Sequence, residues 1–257
     1  MNPSLDCVVL TKDRPDLLNR LRSGLIYQRG VSLRVVVVDN GSDSETPELV
    51  KNWAEWGQMQ GDPSESINEP TWIYVHEPKI NFSTGNNLGA SIVADSPVLC
   101  LLNNDVSLPC RESNTALWSM LHHIGPCNTG IVGPRIIDSK GKINNDGVSF
   151  NAGMPFHMGR GTVPEERACL LTPAATFACV LIDRKLWDEL GGLDEGYPWG
   201  SGDIDFCLSA AELGYRTVTC RRTTVYHDEF GTRPPGGDVP EAQRFHGKWA
   251  LTGRGER

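Results

Sequence analysis

Val98-Leu99-Cys100-Leu101-Leu102-Asn103-Asn104-Asp105-Val106 is a short apolar run that stops abruptly on Asn-Asn-Asp. A run of that length and content predicts a buried strand. A carboxylate just past such a strand stands at the carboxyl edge of a sheet, where open α/β folds bind ligands. Asp105 is therefore a candidate ligand for a hard divalent cation, which takes carboxylate oxygens and shares them with substrate phosphates. Taken alone, an Asp after a strand serves equally well as a turn former. Its meaning depends on the segments around it.

Toward the N-terminus, Leu5 to Leu10 predicts a strand that ends in polar Thr11-Lys12-Asp13-Arg14-Pro15. Pro15 suits the first turn of a helix, and Leu17, Leu18, Leu21 and Leu25 recur at helical spacing. Leu33 to Val38, with four consecutive valines, suits a parallel strand covered on both faces. It ends on Asp39-Asn40-Gly41-Ser42-Asp43, which is turn chemistry. A helix over Pro47–Trp56, a polar surface excursion over 57–70, a strand over Trp72–His76 and a helix over Asn86–Ala94 complete the approach to the opening stretch. Strands alternating with helices predict a parallel sheet of right-handed βαβ units. Thr11, Asp39 and Asp105 then lie along one sheet edge. Asp39 is either an Asx-turn residue or the acceptor for the imino N–H of a pyrimidine base, with Thr11 lining the same crevice. Asn81-Phe82-Ser83-Thr84-Gly85-Asn86-Asn87 can cap a helix, face a nucleotide, or do both.

Toward the C-terminus the rhythm changes. Helices are predicted over Arg111–Ile124, Arg184–Leu190 and Asp203–Leu213. Strands are predicted over Ile131–Ile137, Ala178–Asp183, Arg216–Cys220 and Thr224–His227. Residues 144–164 are rich in Gly and Asn, and the tail from Asp228 is Gly/Pro-rich and reads as mobile. Asp203 and Asp205 stand two apart, so on a helix they point different ways and only one can face a cleft. Trp199, among glycines, is either core or a platform for the apolar face of a sugar ring. A lone His227 is ordinarily structural, unless Asp105 is beside it.

Composition limits the choices. The chain has 257 residues, 39% hydrophobic and 22% charged, which is ordinary for a soluble globular protein. A net charge of −8 argues against gripping nucleic acid over a wide surface. No run approaches the roughly 20 apolar residues that span a bilayer, and Met1 to Cys7 lacks the features of a signal peptide. The expectation is a cytoplasmic chain, with peripheral membrane contact left open. Eight cysteines without a C-x-x-C pair read as buried free thiols in a reducing compartment, and no metal is assigned to them.

The ordered set of motifs resembles inverting glycosyltransferases of family 2, of the GT-A fold, rhamnosyltransferase-like members above all. The likeness is carried by Val-Val-Val-Val-Asp-Asn-Gly-Ser (35–42), Asn-Phe-Ser-Thr-Gly-Asn-Asn-Leu-Gly (81–89) and Leu-Leu-Asn-Asn-Asp-Val (101–106). It continues in Gly-Gly-Leu-Asp-Glu (191–195), Gly-Asp-Ile-Asp-Phe-Cys-Leu (202–208), Gly-Tyr-Arg (214–216) and Val-Tyr-His (225–227). It covers roughly residues 4 to 230. It implies an α/β, mostly parallel central sheet flanked by helices in a single domain over 1–257. Residues 1–107 would bind the nucleotide-sugar, 108–230 would bind the acceptor and carry catalysis, and 231–257 would form a tail.

The resemblance further implies that Thr11, Asp13, Asp39, Gly85, Asn87, Asn104 and Asp105 meet a nucleoside-diphosphate sugar, UDP- or dTDP-linked. Asp105 and His227 would hold Mn²⁺ or Mg²⁺, Asp203 would be the catalytic base, and Trp199 and Gly202 would face the acceptor. Asn103 stands where many members have the first Asp of an Asp-x-Asp motif. The family commonly has Glu-Asp where this chain has Gly202-Asp203, so one acid on the acceptor side is lost. The acceptor is an unknown hydroxyl, with a glycan or lipid-linked glycan favoured and a modified nucleic-acid base still open; oligomeric state is undetermined. Gly202 keeps a non-catalytic nucleotide-sugar-binding protein in view as the alternative. A nucleotidyltransferase fits less well, because Thr11-Lys12-Asp13-Arg14 is a poor phosphate loop.

Overall fold

The structure is a computed structural model that describes residues 2–43, 45–59, 69–109, 114–166, 168–227 and 239–249. The first half runs β1 (Ser4–Thr11), α1 (Pro15–Ile26), β2 (Ser32–Asp39), α2 (Thr46–Met59), β3 (Thr71–His76), α3 (Phe82–Ile92) and β4 (Val98–Asn103). Then come β5 (Val106–Ser107), α4 (Ala116–Leu121), β6 (Thr129–Ile137), β7 (Ile143–Asn145) and the hairpin β8 (Val148–Asn151) and β9 (Met154–His157). The chain continues through β10 (Leu170–Thr172), β11 (Cys179–Asp183), α5 (Arg184–Leu190), α6 (Gly202–Glu212), β12 (Arg216–His227) and α7 (Val239–Trp249).

One mixed sheet organises the molecule, in the order β10-β12-β6-β11-β4-β1-β2-β3. β4, β1, β2 and β3 are parallel, as the alternation predicted. β11 is antiparallel to both β4 and β6, and β12 is parallel to β6. The carboxyl ends of β4, β6 and β12 therefore share one edge with those of β1 and β2. Alternate residues of the central strands face opposite layers. Val9, Val37 and Leu102 meet α1, α2 and α4, whereas Val8, Val36, Leu99 and Leu101 meet α3, α5 and α6. Burial on both faces explains why these strands read as unbroken apolar runs.

Several boundaries differ from the sequence expectation for local reasons. α3 starts at Phe82 rather than Asn86, because Asn81 and Thr84 form a reciprocal capping box, each side chain accepting the other's backbone N–H at 2.9 Å. The two expected strands over 216–227 are one, β12, with an irregularity between Cys220 and Thr224 that lets it bend without leaving the sheet. The helix expected over 111–124 is only Ala116–Leu121 among the described residues. The tail expected to be mobile carries α7, whose Phe245 and Trp249 pack on Tyr197 and Leu208. Residues 60–68 of the expected surface excursion lie outside the described residues.

Candidate active site at the carboxyl edge of the sheet

Strand register places the site. Thr11 and Asp39 are direct partners at the ends of β1 and β2, and Leu10 is paired with Asn103 at the end of β4. The chain then turns through Asn104 and Asp105 into β5, which pairs antiparallel with the end of β12, Val106 opposite His227. That short ladder brings Asp105 to His227. His227 Nε2 lies 3.1 Å from Asp105 Oδ1. Asp105 is buried, and among the described residues this oxygen accepts no well-aligned hydrogen bond; a protonated His227 is its ion-pair partner. A carboxylate oxygen and an imidazole nitrogen facing each other at this distance are equally a pair of hard-to-borderline ligands suited to a divalent cation.

A cavity of about 770 Å³ opens over this edge. Thr11, Asn104, Asp105, Trp199, Gly202, Asp203 and His227 all line it, so the structure brings together most of the residues singled out by sequence. Asn104 Nδ2 donates to Thr11 Oγ1 at 3.1 Å, which ties the ends of β1 and β4. Asp203 stands in the first turn of α6, where the helix dipole favours an acid. Its carboxylate accepts from the backbone N–H of Ile204 at 2.8 Å and Phe177 at 3.3 Å. Burial nonetheless pushes its pKa up, against the lowering effect of those bonds and of His157. Ser201, which caps α6, holds φ at 57°, a left-handed conformation that a non-glycine residue seldom adopts and that clusters at functional sites.

Gly202 is tightly enclosed. A Cβ there would lie 3.2 Å from Tyr197 Cβ and 3.3 Å from Ser83 Oγ, whose hydroxyl donates to the Tyr197 carbonyl. The Glu common at this position in the family would need Tyr197 and Ser83 to shift. Trp199 is 45% exposed over the cavity, as a stacking platform must be. Its backbone N–H and that of Gly200 both donate to the buried carboxylate of Glu241 on α7, each at 2.6 Å. Asp205 faces away from the cleft, as the two-residue offset required. It accepts from Lys248 Nζ and Trp249 Nε1 of α7.

Four expected donor-site residues lie outside the lining of this cavity, each held by local packing. Asp39 is fully buried and does not line the cavity. Ser42 N and Oγ donate to its Oδ1 at 2.9 and 2.5 Å, and Tyr74 OH to its Oδ2 at 2.6 Å. Asp13 is outside the cavity, joining the loop after β1 to that after β2 through Ser42 and Asp43. Gly85 lies on the buried face of α3, where a Cβ would come within 2.8 Å of Leu10. Asn87 exchanges hydrogen bonds with the backbone of Leu193 and fastens α3 to the loop after α5. Lys12, Asn40, His157 and Arg160 line the cavity and were not singled out by sequence. The last two belong to the Gly/Asn-rich stretch, whose composition reads only as loop.

No family model matches the sequence. O-antigen biosynthesis protein RfbC of Myxococcus xanthus is 28% identical over 257 residues, covering 93% of this chain and 18% of that protein. Uncharacterized protein y4gI of Sinorhizobium fredii is 26% identical over 250 residues, covering 93% of this chain and 26% of that protein. The chain thus spans at most about a quarter of the length of these two relatives. Among solved structures, GalNAc-T7 with UDP, GalNAc and Mn²⁺ superposes with a TM-score of 0.71 at 15% identity, over 97% of this chain and 49% of that one. The mannosyltransferase PcManGT of Pyrobaculum calidifontis, in complex with GDP-Man and Mn²⁺, gives 0.64 at 18% identity, over 90% and 59%. TarS of S. aureus (residues 1–349) with UDP-GlcNAc gives 0.59 at 14% identity, over 92% and 60%.

Proposed function

We propose that this chain, whose fold is that of the GT-A glycosyltransferases, is a metal-dependent inverting glycosyltransferase domain. It would move a sugar from a nucleoside-diphosphate donor, UDP- or dTDP-linked, to an acceptor hydroxyl on a glycan or lipid-linked glycan. The observation that carries this reading is one cavity holding Asp105 Oδ1 and His227 Nε2 at 3.1 Å, with the partly buried Asp203 on its wall. The complexes of similar fold named above contain nucleotide-sugars or their parts, two of them with Mn²⁺, and RfbC is named for O-antigen biosynthesis, which supports the donor class and the acceptor class.

Each residue then has work to do. Asp105 and His227 would hold Mn²⁺ or Mg²⁺, which when bound neutralises charge on the leaving diphosphate. Lys12 and Arg160, cations on the cavity wall, add to that neutralisation from the protein itself. Thr11 and Asn104 form the floor on which the nucleotide lies, and Asp39 sets the shape of the base end by holding Ser42 and Tyr74. Trp199 offers a face to a sugar ring. Asp203, ionised, takes the proton of the acceptor hydroxyl as it attacks the anomeric carbon from the side opposite the diphosphate. A single displacement of that kind inverts the anomeric centre.

Thermal shift with UDP-, dTDP- and GDP-sugars, with and without Mn²⁺, tests the reading. At least one donor should stabilise the protein only when Mn²⁺ is present, and Asp105→Ala should abolish that stabilisation. A chain that responds to none of the donors overturns the assignment, and an undiminished Mn²⁺-dependent response in Asp105→Ala removes the metal role.

A further inference from the structure

Away from the cleft, His123, Cys169 and Cys220 gather an imidazole nitrogen and two sulfurs within 4.8 Å of one another. His123 Nε2 lies 3.3 Å from Cys169 Sγ, and Cys169 Sγ lies 3.6 Å from Cys220 Sγ. The gathering follows from topology. Leu170 pairs with Thr219 across the antiparallel β10–β12 edge, so the next residues along, Cys169 and Cys220, face each other. His123 arrives from the turn after α4, which packs on β12. Cys220 is buried; His123 and Cys169 are partly accessible, leaving a path for an ion.

We propose that His123, Cys169 and Cys220 bind a thiophilic divalent cation, Zn²⁺, that clips the β10 edge of the sheet to α4. In a tetrahedral zinc site, bond lengths of about 2.3 Å to sulfur and 2.0 Å to nitrogen separate two sulfurs by about 3.8 Å and sulfur from nitrogen by about 3.5 Å. The His123–Cys169 and Cys169–Cys220 spacings need only small adjustments to meet those values, and His123 and Cys220 lie within 4.8 Å of each other. Two thiolates and an imidazole select zinc over Mn²⁺ or Mg²⁺, so this site and the Asp105–His227 site would sort metals by ligand softness. On binding, both thiols lose their protons to solvent, the two thiolate charges balance the ion, and water fills the fourth position. The buried Cys7, Cys100 and Cys179 have no comparable histidine among the described residues, which separates a ligand set from thiols that merely share a core.

The test is an anaerobic Co²⁺ titration of the full chain after reduction and removal of metal. One equivalent should produce a thiolate-to-cobalt charge-transfer band, which Zn²⁺ then abolishes. Because the Asp105–His227 site contains no sulfur, the band should survive in Asp105→Ala. Cys169→Ser and His123→Asn, both at partly accessible positions, should each weaken Co²⁺ binding at this site at least tenfold. Absence of a sulfur band in the reduced parent protein overturns the proposal. So does a band of undiminished affinity in both variants.

Discussion

Asp203 illustrates how much a residue's environment adds to its identity. Two backbone N–H groups stabilise its charged form, yet desolvation wins and the pKa is raised. A general base works only when ionised, so the acid limb of the rate profile should lie above the ordinary carboxylate value of about 3.9. The sign for stability is the reverse of the usual carboxylate case. The folded state binds this proton more readily than the unfolded chain, so Asp203 contributes stability at low pH that is lost as pH rises through its folded pKa. Asp203→Asn should therefore lower transfer roughly 10²- to 10⁴-fold, remove the acid limb and leave Mn²⁺-dependent donor binding intact. A rate profile with its acid limb unmoved in that variant would argue that another group titrates. His157 is the neighbour to try next, since its charge acts on Asp203 directly.

At the scale of elements, α3 and α7 set the cleft walls by opposite means. α3 approaches the sheet through glycines: a Cβ on Gly89 would come within 2.4 Å of Val8 Cγ1 and 3.1 Å of Val38 Cγ2. Gly89→Ala gains up to about 1 kcal/mol of helix propensity but overpacks a rigid core at a cost of about 1–3 kcal/mol. Overpacking should win, with a lower urea midpoint at constant slope. α7 acts through charge. Glu241 holds the N–H groups of Trp199 and Gly200, while Lys248 and Trp249 hold Asp205. Hydrogen bonds to a charged group are worth about 1.5–3 kcal/mol. Glu241→Ala should accordingly destabilise the protein by roughly that amount. It should also raise KM for the acceptor while donor affinity holds, because only the Trp199 side of the cleft loosens. Equal losses for donor and acceptor would mean that the whole cleft depends on α7.

Across the whole molecule, the two halves of the sheet meet at β4 and β11, and the β5–β12 ladder beyond their ends joins the turn after β4 to the end of β12 at the cleft. Chelation should silence transfer and added Mn²⁺ restore it. His227→Ala should raise the Mn²⁺ concentration needed for half-maximal rate without altering the fold, a shift read directly in a metal titration. The parallel half of the sheet was legible in the sequence, because β1, β2 and β4 are buried on both faces and end in polar turns. The same pattern put Thr11, Asn104 and Asp105 at strand ends, whereas Asp203 was singled out by the resemblance; all four line the cavity. Sequence offered Asp39 as a turn residue, which its bonds to Ser42 match, but could not tell that it also takes Tyr74 or that Asn87 turns to Leu193, since those partners are brought by other elements. The Gly/Pro-rich composition of the tail masked α7, an amphipathic helix that lays Phe245 and Trp249 on Tyr197 and Leu208 and bonds Asp205. Local pattern thus determined the layers, the strand ends and the candidate acids. Only tertiary structure decided that Asp105 meets His227, and that Cys169 meets Cys220 and His123. Strand pairing joins residues far apart in the chain, and no local propensity encodes which strands become neighbours.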